Sequence, residues 1–464
     1  MANVKSTRRQ FLKSGAALAT AGAMLSAPAP TYAAPTRGPK LRLTRQRRAL
    51  VFIMLDGGND SFNMLVPTSR RHYADYKRSR SNLALEQRQL LPLSGNADGD
   101  GRTFGLHPSM PEVQHMFDRG DLSFVANIGP MISPVSKQSV TSGAAQLPLG
   151  LLSHADQFKH WQTSRPDQRT NNGWFGYFAD ALQQNRPVHQ IPMGISMAGS
   201  NIMQNGAAST TYSITEKGSV GLVVNAEPSP LNNALLKSFE GLLRTQYPDD
   251  PFCQTYLSIT REAQAQHEIF RTATSDIRVP VRFPDTPLAQ QLKKVAQTIK
   301  AADRLKQPQQ TFFLRYIGWD HHDELLRNHA KMLKILSQAL GAFQASLDRM
   351  GLADSVVTFT GSDFGRTLTS NGNGTDHGWG GNTIVMGKPV AGGQVFGKYP
   401  DLTLAHENPL DMGDGVLIPT TATDQLYAEL ATWFGADRQD IPRLFPNIGN
   451  FVTRPDQPSL GVIG

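Results

Sequence analysis

The chain has 464 residues, with 46 Lys and Arg against 38 Asp and Glu, a formal net charge of +8, and a single cysteine, Cys253. That length suits one large domain or two smaller ones, the mild basic balance argues against a nucleic-acid partner, and one cysteine excludes an intrachain disulfide. Half of the net charge comes from four cations at the start of the chain, Lys5, Arg8, Arg9 and Lys13, and no acidic residue occurs before Ala33.

In chain order, the first element is a targeting segment. Thr7-Arg8-Arg9-Gln10-Phe11-Leu12-Lys13 resembles the twin-arginine signal of bacterial exported proteins. The mildly apolar run from Ser14 to Ala27 is shorter than the ~20 residues a membrane span needs. Thr31-Tyr32-Ala33 supplies small residues before a cut. We therefore expect a signal peptide over 1–33 and export, already folded, to the periplasm or outside. Residues 34–48 read as a basic, solvated linker carrying Pro35, Pro39 and several arginines. No later segment reaches the ~18 apolar residues of a membrane span, so no transmembrane segment is expected after signal removal.

From Ala49 the pattern changes. Ala49 to Leu55 is a continuous apolar run ending at Asp56-Gly57-Gly58, which reads as a strand buried on both faces. Met110 to Phe117 reads as a short helix and Leu122 to Ile128 as a second strand. Met131 to Gly150 is rich in Ser, Gly and Pro and reads as an irregular loop. Helices are expected from about Ser153 and over Trp174 to Leu182. Residues 228–306 read as a helical, cap-like insertion, with Thr286-Pro287 as a helix start. Thr311 to Ile317 is a third strand. Leu325, Met332, Leu333, Leu336, Leu340, Phe343 and Leu347 then follow at helical spacing. Ser355 to Thr360, Thr383 to Met386 and Gln394 to Phe396 are further strands, and Thr423 to Phe434 is a last helix. Strands alternating with helices predict an α/β domain over 49–464, with a mainly parallel sheet and helices on both faces.

In such sheets ligands bind beyond the carboxyl ends of the strands. After the first strand come Asp56, Asn59, Asp60, Ser61 and Asn63. After the third come Asp320, His321, His322 and Asp323. After the fourth come Ser362, Asp363 and Arg366, then a Gly/Asn loop carrying Asp376 and His377. Carboxylate and imidazole together suit Zn²⁺, Mn²⁺ or Mg²⁺, and a metal pair would clamp a phosphoryl or sulfuryl oxygen. Each residue also has a plainer role: Asp56 and Asp60 as turn formers, Asp320 as a helix cap, and Asp376 as part of a turn.

The ordered set Leu55-Asp56-Gly57-Gly58-Asn59-Asp60-Ser61-Phe62-Asn63, Leu106-His107-Pro108, Ser153-His154, Gly173-Trp174-Phe175-Gly176, Gly318-Trp319-Asp320-His321-His322, Ser362-Asp363-Phe364-Gly365-Arg366 and Gly374-Thr375-Asp376-His377-Gly378 resembles an exported bacterial family known as domain of unknown function 1501. That family looks like a remote branch of the alkaline phosphatase and sulfatase superfamily. The resemblance implies metal ligands at Asp56 or Asp60, at Asp320 and His322, at Asp363, and at His377. It implies a nucleophile at Ser153, followed by His154, at a helix start that would favour an anion. The plainer role for Ser153 is an N-cap with Asp156 at N3. Two positions depart from the family pattern: Phe364 stands where the superfamily carries a metal-binding His, and Tyr177 where the family carries Arg. Phe364 removes a ligand from one of two metal positions, while Arg366 supplies a cation able to hold an anionic group.

These observations point to a metal-dependent hydrolase acting on phosphate or sulfate esters, with a small anionic or glycan-linked substrate. Ser153 would attack, His154 would assist, and Arg366 would hold the anion. The alternative is a non-catalytic envelope protein of the same fold that binds an anion or a glycan.

Overall fold

The computed structural model describes residues 47–464 apart from 95–100, 184–189, 222–228, 246–248, 405–407, 456 and 458. The segment read as an export signal, and the basic segment up to residue 46, lie outside the described residues. Arg48, expected to close the linker, instead opens the first strand, β1 (Arg48–Asp56), and its cation stands over the Trp433 ring.

β1 alternates strictly between two cores, which is why its sequence is an unbroken apolar run. Ala49, Val51, Ile53 and Leu55 face one cluster, and Leu50, Phe52 and Met54 face the other. Behind the first face lie the helices Pro111–Asp118, Pro287–Lys300 and Leu325–Met350; behind the second lie His154–Thr163, Trp174–Gln183 and Thr423–Phe434. Helices thus cover both faces, as expected.

Three short strands, β2 (Leu65–Pro67), β3 (Leu91–Pro92) and β4 (Phe104–Leu106), form a small antiparallel sheet. The main sheet continues with β5 (Leu122–Gly129), β6 (Gly194–Ser196), β7 (Tyr212–Thr215), β8 (Gly218–Ser219), β9 (Gln309–Ile317), β10 (Val356–Ser362), β11 (Gly381–Met386), β12 (Val395–Phe396) and β13 (Thr421–Ala422). Its order is β12-β5-β11-β10-β1-β9-β6-β7-β8, with β13 also paired to β5. Among the described residues, the pairings leave only β8 and β11 antiparallel to the rest. The sheet is therefore mainly parallel.

Several local expectations change. Met131 to Gly150 contains one short helix, Lys137–Thr141. β6, β7 and β8 escaped the pattern because each is four residues or fewer. Of the helical segment 228–306, Pro287–Lys300 belongs to the layer against the sheet, and Pro251–Thr274 packs beside β8. No helix among the described residues is long and apolar enough to cross a membrane.

The consequence for function lies in register. β10, β1 and β9 are adjacent and parallel, with Leu55 opposite Ser362 and Asp56 opposite Ile317. Their following loops therefore leave the sheet side by side at one edge.

Candidate metal centre

Two glycines after β1 let those loops close on one another. A Cβ at Gly57 (φ +123°) would lie 2.6 Å from the Asp320 backbone nitrogen, and one at Gly58 (φ +94°) would lie 2.7 Å from the Phe364 ring. The amides of Gly318 and Trp319 donate to the Asp56 carbonyl at 3.1 and 3.2 Å, which ties the Asp320–His322 turn to the end of β1. Trp319 is fully buried and anchors that turn from below. After β10, the chain runs out through Arg366 and returns through His377, the two forming an antiparallel bridge. On the other side of the sheet edge, His154 is the first residue of its helix. The preceding Leu152 has φ +68°, a left-handed backbone that is strained for a leucine. Its carbonyl accepts from His377 Nδ1 at 2.9 Å.

His154, Asp320 and His377 each bring a ligand atom into one cluster, all within 4.8 Å of one another. His154 Nε2 and His377 Nε2 are 3.1 Å apart, and His322 Nε2 is 3.1 Å from His377 Nε2. Asp320 lies 3.0 Å from His322 Nε2 and 3.5 Å from both His154 and His377. Ligands about 2.0–2.2 Å from a tetrahedral ion stand about 3.3–3.5 Å apart, so this spacing fits one cation.

The far nitrogens fix which atoms face inward. His154 Nδ1 is 2.6 Å from Asp363 Oδ2, an acceptor, and His377 Nδ1 is on a backbone carbonyl, also an acceptor. In the neutral rings each Nδ1 carries the proton, and each Nε2 presents a lone pair. Two lone pairs 3.1 Å apart, beside a carboxylate, suit a positive centre among them. Burial holds His377 below the usual histidine range, with the His154 and Arg366 charges acting the same way against the Leu152 carbonyl. His322 has Asp376 Oδ1 3.0 Å from its Nδ1, so a proton there leaves Nε2 free as a ligand.

The expected ligands divide into three groups. Asp320 and His377 meet with His154 in the cluster, and His322 flanks it beside Asp320 and His377. Asp363 is completely buried and stands behind His154, as an orienting carboxylate of the kind found behind metal-binding histidines, and not in the cluster itself. Burial pushes its pKa up to about 6, with the Asp56 charge adding to the rise and the His154 contact opposing it. Asp56 and Asp60 point elsewhere. Asp56 is paired with Arg315, and Asp60, fully buried, with Arg80. Each of these carboxylates gives its Oδ2 to a guanidinium, and neither residue belongs to the cluster of His154, Asp320 and His377.

Arg366 is the clearest correction. It was expected to hold a substrate anion, yet its side chain is wholly buried. Nε donates to Thr375 Oγ1 at 3.2 Å, Nη1 to Asp320 Oδ1 at 2.6 Å and to the Gly57 carbonyl at 3.3 Å, and Nη2 to the Thr375 carbonyl. It orients Asp320. Burial pushes Asp320 upward, but the Arg366 contact and charge prevail and hold it below the usual carboxylate range.

Ser153 occupies the N-cap of its helix, yet its hydroxyl makes no capping bond. The plainer capping role is therefore not the one it fills. Phe364, buried, lies 4.7 Å from the His154 ring and 4.4 Å from the His377 ring, centre to centre, forming an apolar wall behind two imidazoles. Sequence reading had His154 assisting catalysis and missed both its place in the cluster and the support from Leu152 and Asp376. The Ser-His pair immediately before a helix was the available signal for His154; nothing in the sequence points to a backbone carbonyl.

A family model described as "Protein of unknown function (DUF1501)" matches residues 47–437, and the chain belongs to that family. No curated protein matches it. Among solved structures the chain is similar to a protein in the alkaline phosphatase superfamily from Vibrio parahaemolyticus, at 11% identity and a TM-score of 0.34, over 88% of this chain and 72% of that one. It is similar to Ps i-CgsB at 13% identity and a TM-score of 0.34, over 87% and 77% of the two chains. It is also similar to the lipoteichoic acid synthase LtaP from Listeria monocytogenes at 7% identity and a TM-score of 0.31, over 82% and 78%.

Proposed function

We propose that this DUF1501 protein is an exported, divalent-metal-dependent hydrolase of phosphate or sulfate esters. His154, Asp320, His322 and His377 would hold the metal. The observation that carries the reading is the approach of His154 Nε2 to His377 Nε2, 3.1 Å apart with both Nδ1 atoms committed to acceptors. Three imidazoles and one carboxylate favour Zn²⁺ or Mn²⁺ over Mg²⁺, which prefers oxygen ligands.

When bound, such an ion polarises an ester oxygen and lowers the pKa of water. The protein's own groups supply order. Asp363 holds the His154 ring, the Leu152 carbonyl holds His377, Asp376 holds His322, and Arg366 holds Asp320. Phe364 keeps water from one side of the two rings. Ser153, with a hydroxyl not used in capping, is the side-chain nucleophile this arrangement offers. The export reading rests on Arg8, Arg9, the weakly apolar stretch and the Thr31-Tyr32-Ala33 exit.

Elemental analysis of the purified mature protein, with aryl phosphate and aryl sulfate turnover measured alongside, tests the reading. The expected result is about one metal ion per chain, with turnover abolished in Asp320→Ala and His377→Ala. Metal-free protein with no turnover above background would overturn it. Stoichiometric metal without turnover would favour the non-catalytic anion- or glycan-binding alternative.

A further inference from the structure

With Arg366 consumed in orienting Asp320, an anionic ester needs a different cation at the rim of the site. Arg315 meets the requirement. It lies on β9, opposite Met54 of β1 and close to the end from which the Asp320 turn departs. Its Nε donates to Asp56 Oδ2 at 2.9 Å, and Nη2 reaches the same oxygen. Its guanidinium carbon stands 4.9 Å from the centre of the Phe158 ring, on the helix that begins at His154, and Phe158 is one turn along from that residue.

Three features set this guanidinium apart from the others near the site. Arg80 and Arg366 are buried, with no exposed side-chain surface, whereas the Arg315 side chain is 37% exposed. Asp56 occupies only the Nε/Nη2 edge, so the Nη1/Nη2 edge of the fork stays open, and that edge matches two oxygens of a tetrahedral oxyanion. The group is also held in place, by a carboxylate on one edge and an aromatic ring against its face, so little side-chain freedom is lost on binding. Its partner Asp56 ends β1, and the Asp56 carbonyl accepts from the amides of Gly318 and Trp319, immediately before Asp320.

We propose that Arg315 is the residue that receives an anionic phosphate or sulfate group of the substrate, at the His154 side of the centre. This rests on the hydrolase reading for its biological meaning, but its test does not require turnover. Inorganic phosphate and inorganic sulfate are titrated calorimetrically into the full chain, as wild type, Arg315→Gln and Arg315→Lys, with metal content measured on the same samples. The expected result is anion binding by the wild type, weakened at least tenfold in Arg315→Gln and less in Arg315→Lys, with metal content unchanged throughout. Unchanged anion affinity in Arg315→Gln, or no anion binding by the wild type, would overturn the proposal. A metal-free wild type would instead count against the hydrolase reading, and the two failures are told apart on one set of samples.

Discussion

His154 Nδ1 and Asp363 Oδ2 lie 2.6 Å apart, joining the first residue of a helix to the residue that follows the neighbouring strand across 209 positions of chain. The contact sets the tautomer of His154 and aims Nε2 at the cluster. Asp363 also accepts from the Gly57 amide at 3.2 Å, so it anchors the β1 loop as well. Asp363→Asn keeps the size of the side chain but loses the charge that stabilises a metal-bound imidazole. We expect metal affinity to fall about 10- to 100-fold, the range for orienting partners of metal-binding histidines, with the fold retained. Competition with a chromophoric chelator measures it; unchanged affinity would remove Asp363 from the support of the centre.

Asp56 and Asp60 give the opposite expectation. Neither faces the cluster, so Asp56→Asn and Asp60→Asn should retain stoichiometric metal. Asp60 is nevertheless structural. It pairs with Arg80, which also donates to Asn63 Oδ1 at 3.2 Å and to the Thr367 carbonyl at 2.9 Å, all buried. Stripping one partner from a buried pair leaves an uncompensated charge, so Arg80→Ala should destabilise the fold by about 3–5 kcal/mol. Denaturant unfolding alongside metal analysis separates the two effects; loss of metal in Asp60→Asn with stability intact would restore Asp60 as a ligand.

The contrast shows which parts of this protein are legible in its sequence. β1 is legible because a strand buried on both faces carries an uninterrupted apolar run, and β9 and β10 because aromatic and β-branched residues dominate them despite Arg315 and the threonines. The edge where function concentrates then follows from the parallel pairing. Asp320, His322 and His377 are legible for the same reason: they come just after those runs, or on the return loop. What is not legible is partnership. Asp56 reads like Asp320 until Arg315, 259 residues away, is brought beside it, and Arg366 reads as a free cation until the Thr375 carbonyl and Asp320 close around it. The direction of β11 is equally hidden, since an apolar strand has the same composition whether parallel or antiparallel.

Asp424 predicts a pH dependence remote from the centre. It is completely buried near the start of the last long helix, where Ser164 donates to one oxygen while the other has no partner. Burial pushes its pKa up to about 7, against the pull of Ser164 and Arg165. The folded state therefore keeps a proton that the unfolded chain releases near pH 4. Its contribution is most favourable below that pH and is lost as pH rises toward 7, by at most about 4 kcal/mol. Asp424→Asn retains an acceptor for Ser164 and removes the titration. Between pH 4 and 7 the wild type should lose stability relative to this variant; parallel stability–pH curves would show that Asp424 does not titrate with a raised pKa.

The last prediction concerns the C-terminal segment. Glu429, on the same helix and nearly fully buried, accepts from five consecutive backbone amides: Ser459, Leu460 and Gly461 on Oε1 at 2.9, 2.6 and 2.9 Å, and Val462 and Ile463 on Oε2 at 2.7 and 3.4 Å. A concave run of amides around one carboxylate is an anion nest filled by the protein's own side chain. It fixes the segment whose Val462 carbonyl accepts from Ala391 and whose Ile463 bridges Val390, both in the connection from β11 to β12. Glu429→Ala leaves five donors without an acceptor and should destabilise the fold by about 3–5 kcal/mol, while Glu429→Gln, which brings its own donors into the nest, should recover only part of that. Because the nest shares no residue with the candidate metal centre, metal content should be unchanged in both variants. Hydrogen exchange of the 459–463 amides should accelerate well beyond the global loss of stability; protection equal to the wild type would mean that the contacts with Val390 and Ala391, and not Glu429, hold the tail.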